Sequence, residues 1–116
     1  MADPDFHACA KAGISALQQW YNPPTGMWKS TGWWNAANAL MAVIGYTKWS
    51  GDSSHEGVIA TTFTGAKRQH ANFVDSFYDD NGWWALAWVS AFDLTGQNSY
   101  LQAAKTSLGP ALGGVQ

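Results

Sequence analysis

Gly82-Trp83-Trp84-Ala85-Leu86-Ala87-Trp88 opens the most tryptophan-rich stretch of the chain, and 50 residues earlier Gly32-Trp33-Trp34-Asn35-Ala36-Ala37 begins in the same way. Each glycine precedes an apolar segment with helical spacing. Each segment ends at another glycine, Gly51 or Gly96, followed by a polar turn and a further helical pattern. A repeat near 50 residues with two helices per unit reads as stacked helical hairpins, which bury their faces against neighbouring units.

The remaining elements fall in place around this repeat. Asp3 can cap a helix with Pro4 in its first turn, along which Phe6, Cys9, Ala10, Ile14, Leu17 and Trp20 recur at spacings of three and four. Asn22-Pro23-Pro24-Thr25-Gly26 stops it. Gly32 opens a second helix marked by Trp33, Ala37, Leu40, Met41 and Ile44. Ser53 and Glu56 have capping-box spacing ahead of a third helix with Val58, Ile59, Thr62 and Phe63. There Gly57, Gly65 and the threonines weaken helix propensity, so a break is expected over 65–72, with Phe73, Val74 and Phe77 resuming. The fourth helix, with Trp83, Trp84, Leu86, Trp88, Val89 and Phe92, is apolar nearly all round and reads as buried on all sides. A fifth, with Tyr100, Leu101, Ala104 and Leu108, is expected to end at Gly109-Pro110. No stretch alternates long enough to form a convincing sheet. The fold class is therefore all-α, with about five helices over residues 1–108 and a flexible tail over 109–116.

Composition narrows the function. The chain has 116 residues, 47% of them apolar and only 12% charged, with a net charge of −2. Disorder is excluded by the apolar fraction. Nucleic-acid binding lacks the basic footprint that phosphates require. No apolar run approaches the ~20 residues that span a bilayer, and Met1-Ala2-Asp3-Pro4-Asp5 carries no signal-peptide pattern. The single Cys9 excludes an internal disulfide and reads as a small helix-face residue. His7, His55 and His70 lie on different elements, so neither a metal site nor an organic cofactor is expected. Eight tryptophans are the unusual feature. They can fill a core or lay their faces against a ligand such as a sugar.

Asp79-Asp80, immediately before the aromatic helix, are the candidate catalytic residues. Glycoside hydrolysis needs two carboxyl groups, one to protonate the leaving oxygen and one to attack or to activate water. A helix start stabilises an ionised nucleophile, and an apolar wall keeps the second carboxyl protonated. The competing reading is structural: Asp79-Asp80-Asn81-Gly82 is good turn chemistry, and Asp80 can serve as an N-cap. Trp28, Trp33, Trp34, Trp83 and Trp84 are candidates for stacking on sugar rings, or for the core. Asn35 and Asn81 are candidates for bonding sugar hydroxyls, or for caps and turns.

The stretch Tyr78-Asp79-Asp80-Asn81-Gly82-Trp83-Trp84-Ala85-Leu86-Ala87-Trp88 resembles the catalytic signature of glycoside hydrolase family 76, the retaining α-1,6-mannanases. Thr25-Gly26-Met27-Trp28 with Thr31-Gly32-Trp33-Trp34-Asn35-Ala36-Ala37-Asn38-Ala39-Leu40, Asn72-Phe73-Val74 with Phe77-Tyr78, and Asp93-Leu94-Thr95-Gly96 with Tyr100-Leu101 extend the likeness over roughly residues 10–106. The resemblance implies an (α/α)6 barrel with its cleft at the mouth of the inner helices, and endo-hydrolysis of α-1,6-mannan. It also implies Asp79 as nucleophile, Asp80 as general acid/base, and a location outside the cell or at the cell wall. Twelve helices of ~11–12 residues need well over 200 residues, so the expectation is a partial barrel. Its open face is then covered by a second copy, a homo-oligomer. Two other functions compete with catalysis: carbohydrate binding without turnover, and assembly through an aromatic surface.

Overall fold

The computed structural model describes residues 4–71 and 73–113. The expected cap Asp3 and the motif residue Asn72 lie outside them. The fold is all-α, with five α-helices among the described residues: α1 (Pro4–Gln18), α2 (Trp33–Ser50), α3 (Gly57–Gln69), α4 (Tyr78–Thr95) and α5 (Asn98–Gly113). It is the expected partial array of helical hairpins.

The two members of the repeat, α2 and α4, pack side by side and parallel. Near their starts Trp33 and Trp84 lie with ring centroids 4.4 Å apart, and the Trp84 indole N–H donates to the Trp33 carbonyl at 3.1 Å. Near their ends Lys48 pairs with Asp93 across the exposed surface. Between these points Ala36, Ala37, Ala87 and Ala91 are almost wholly buried. Small side chains along the seam let the two backbones approach closely. Helices α1, α3 and α5 flank the pair. Trp88 is the hub of the core. It stacks on Trp84 at 5.5 Å and on Tyr100 of α5 at 5.7 Å, and meets Phe63 of α3 and Phe73 edge-on.

Several local expectations are overturned. A β-hairpin, unforeseen in the sequence, follows α1: β1 (Tyr21–Asn22) pairs antiparallel with β2 (Met27–Trp28). The break over 65–72 is not there at its start, because α3 runs unbroken through Gly65 to Gln69. Gly65 is required by close approach instead. A Cβ there would stand 2.0 Å from the Thr25 carbonyl oxygen, which belongs to the hairpin tip. The Ser53–Glu56 capping box does not form. Asp52 caps a short 3₁₀ turn at Ser53–His55, accepting from the Ser54 N–H and from the Tyr46 hydroxyl. Phe73–Phe77 do not resume a helix. Phe73 sits in the left-handed region at φ 59° with its ring in the core. The burial of an aromatic ring there outweighs the ~1–2 kcal/mol cost of that backbone. Helix α5 continues past Gly109-Pro110 to Gly113.

Burial is one-sided on two of the helices. Helix α4 is not buried all round: Leu86 is 54% and Val89 44% exposed, beside Trp83. Of the apolar face expected along the first helix only Ile14 is fully buried, while Phe6, and Trp20 just beyond the end of α1, are exposed. No helix among the described residues is long and apolar enough to cross a membrane.

The close approach of Gly65 and the hairpin gives a test of the packing. Gly65→Ala is expected to destabilise the fold by roughly 1–3 kcal/mol through overpacking, several degrees in Tm. Gly45→Ala on α2, where a Cβ meets nothing within 4 Å, is expected to be neutral or stabilising by up to ~1 kcal/mol. Thermal melts of the two variants check the contrast.

Candidate active site

The parallel packing of α2 and α4 puts both helix starts at one end of the molecule. Tyr78 begins α4, so Asp79 and Asp80 occupy its first turn, where unpaired backbone N–H groups and the helix dipole favour negative charge. The two carboxylates diverge in environment. Asp79, with Gly82 and Trp83, lines an open groove of about 450 Å³ closed on its far side by Leu86 and Leu108. Asp80 is half-buried and forms a carboxyl–carboxyl hydrogen bond with Asp75.

Asp75 is the neighbour of Asp80 that sequence reasoning missed. It is held in place by Asn81, which is 1% exposed. The Asp75 N–H donates to Asn81 Oδ1 at 2.9 Å, and Asn81 Nδ2 donates back to the Asp75 carbonyl at 3.2 Å. The Asp75 carboxylate also accepts from the Phe77 N–H at 2.9 Å. The loop before α4 is thus clamped to its first turn. The hydrogen bond to Asp75 pushes the Asp80 pKa up to about 6, helped by partial burial and by the charges of Asp75 and Asp79. These outweigh the opposing pull of the helix N-terminus. The only trace in the sequence was a third acid five positions before Asp80, which no helical spacing would bring alongside it.

The other predicted site residues divide by burial. Trp34 and Trp83 are exposed, at 44% and 39%. Trp84 is fully buried between Trp33 and Trp88, so it is a core residue and has no face free for a sugar. Trp28 is 2% exposed, with its indole N–H donated to Gln18 Oε1 at 3.0 Å. Asn81 is committed to the Asp75 loop and unavailable to a ligand. Trp33 is half-buried against His70, with centroids 4.2 Å apart. Asn35 accepts from the Gly32 N–H at 3.2 Å, capping α2, and leaves its amide N–H groups free. Among the described residues no group of three His, Cys, Asp or Glu side chains is placed to hold a metal ion.

A family model described as glycosyl hydrolase family 76 matches residues 8–109. No curated protein and no solved structure matches the chain.

The raised Asp80 pKa has a definite sign in stability. A carboxyl that titrates near 6 when folded and near 3.8 when unfolded binds its proton more tightly in the native state. Its contribution is therefore complete below about pH 4 and is lost as pH rises towards 6. Asp75→Asn is expected to return Asp80 towards the ordinary carboxylate range and to flatten the pH 4–6 slope in Tm. Carboxyl-carbon NMR titration of Asp80 in the two proteins measures the shift directly. A midpoint unchanged in Asp75→Asn would contradict the assignment of Asp75 as its cause.

Proposed function

We propose that this chain, which belongs to glycosyl hydrolase family 76, hydrolyses α-1,6-linked mannan with retention at the groove where α4 begins. The observation that carries the reading is the division of labour between neighbouring carboxyls. Asp79 opens into the groove beside the exposed Trp83, while Asp80 keeps a proton to about pH 6 through Asp75. A retaining glycosidase requires this pairing of a nucleophile with an acid.

In the proposed sequence a mannosyl unit lies against Trp83, and Asp80 donates its proton to the departing glycosidic oxygen. Asp79 attacks the anomeric carbon and forms a glycosyl ester. Asp80, now ionised, removes a proton from water, which attacks the same carbon and releases Asp79. Atoms and charges balance over the cycle, and the product retains its configuration. Family membership supports a polysaccharide substrate and a location outside the cell or at the cell wall. Phe6 and Trp49, exposed and outside the lining of the groove, support a second copy as their cover, because monomers seldom leave large contiguous apolar surface to water.

A second reading is favoured by the open setting of Asp79, which is exposed to solvent: binding of mannan without turnover. The two separate cleanly. Hydrolysis predicts release of reducing ends from α-1,6-mannan. Asp79→Asn is expected to abolish it, and Asp80→Asn to lower the rate by about 10²–10⁴-fold. Binding alone predicts no product from the parent chain, with affinity reduced about tenfold in Trp83→Ala, the ~1.4 kcal/mol of one lost aromatic contact. Full activity in both aspartate variants would remove the catalytic assignment.

A further inference from the structure

Asp75 lies outside the helices, yet its place is fixed. The buried Asn81 amide holds both backbone polar groups of Asp75, at 2.9 and 3.2 Å, and the Phe77 N–H donates to its carboxylate at 2.9 Å. At the other end of the same loop Phe73 is pinned by its ring, which is buried edge-on against Trp88. A loop tied down at both ends holds its side chains in place without help from a ligand. We infer that Asp75 and Asn81 are positioning residues of the acid–base step, which keep an ionised carboxylate against Asp80 through both halves of the retaining cycle. The role rests on the mannanase reading given above.

The hydrogen bonds decide which of the two carboxyls holds the proton. Asp75 accepts from a backbone N–H, and a bond made to the charged form of an acid favours that form. Around Asp80 the balance runs the other way. Its hydrogen bond to Asp75, its partial burial and the charges of Asp75 and Asp79 each favour the protonated acid. Asp80 is therefore the donor of the pair and Asp75 the acceptor. Other charges on the neighbouring helices stand apart. Lys48, the basic residue of α2, pairs with Asp93 near the end of α4, and Lys105 of α5 is exposed.

This arrangement serves the two halves differently. In the first, Asp80 must hold a proton for the departing oxygen, and Asp75 keeps it there. The transfer leaves Asp80 ionised. Asp79 has meanwhile become a neutral ester, so its charge no longer acts on Asp80. Asp75 stays charged, and of the two it is the larger influence. Asp80 therefore remains a strong base for the water that completes the cycle.

Two substrates separate the halves. α-1,6-Mannan has a poor leaving group and needs the acid. A dinitrophenyl glycoside of α-1,6-mannobiose does not, and its turnover is limited by the water step. In Asp75→Asn the alkaline limb of kcat/KM on mannan is expected to fall from about pH 6 towards the ordinary carboxylate range, a loss of roughly 100-fold at pH 6. On the dinitrophenyl substrate kcat/KM is expected to stay within about threefold, while kcat and KM fall together by about tenfold. Asn81→Ser is expected to move the same limb in the same direction, and the double variant no further, because Asn81 acts through Asp75.

If Asn81→Ser loses the parent circular dichroism, Asp75→Asn decides alone: it keeps the backbone that Asn81 grips and a side-chain oxygen for the Phe77 N–H. An unmoved limb in Asp75→Asn, or an equal loss of kcat/KM on both substrates, would overturn the positioning role and leave the mannanase reading standing. A parent chain that releases product from neither substrate would overturn the mannanase reading, and this role with it.

Discussion

The indole of Trp84, wedged between two parallel helices with its N–H on the Trp33 carbonyl, is the contact from which the rest of the architecture follows. A tryptophan buried without a partner for its N–H loses much of what its apolar area contributes. Here that group is satisfied by the neighbouring helix, so burial and orientation are secured together. The contact sets α2 and α4 side by side. The alanines below it let the helices close, and the stack from Trp33 through Trp84 and Trp88 to Tyr100 carries the core outward into α5.

The proposed chemistry depends on that pairing because it brings two helix starts to one end of the molecule. A helix N-terminus alone would favour ionised carboxylates at Asp79 and Asp80 alike. The structure separates them by a device outside the helix. The Asn81 amide grips both backbone polar groups of Asp75, and hydrogen bonding with the Asp75 side chain raises the pKa of Asp80. A buried amide that makes no contact with solvent thereby governs the protonation of an acid at the surface. The hairpin works by similar logic on the other helix. Its tip is locked on α3 by Gly26 and Gly65, so the segment leading into α2 keeps a single course and leaves Trp20 facing outward.

The exposed flanks complete the picture. Leu86 and Val89 on α4 and Phe6 on α1 are exposed, each on a helix whose other face is packed. Such one-sided burial is what a closed ring of hairpins produces wherever neighbours are lacking, since every unit in a stack depends on the next for part of its cover. The periodic pattern of α4, apolar around nearly its whole circumference, is suited to an inner position with partners on both sides.

By itself the sequence determined the class of the fold and singled out the carboxylate pair at the start of α4. The repeated Gly-Trp-Trp and its helical spacing were sufficient for α2 and α4, because apolar periodicity and terminal glycines are local signals. The run from Tyr78 to Trp88 likewise marked the position of the carboxylates. The hairpin, the continuity of α3 through Gly65 and the turn at Phe73 were not legible, because each is decided by a contact with a distant segment that overrides local propensity. The division of Trp83 from Trp84 and of Asn35 from Asn81 into free and committed side chains was equally hidden. Only the tertiary structure decided which tryptophan faces outward and which acid keeps its proton: both turn on desolvation and hydrogen bonding between elements, and a residue's type and spacing leave its neighbours unspecified.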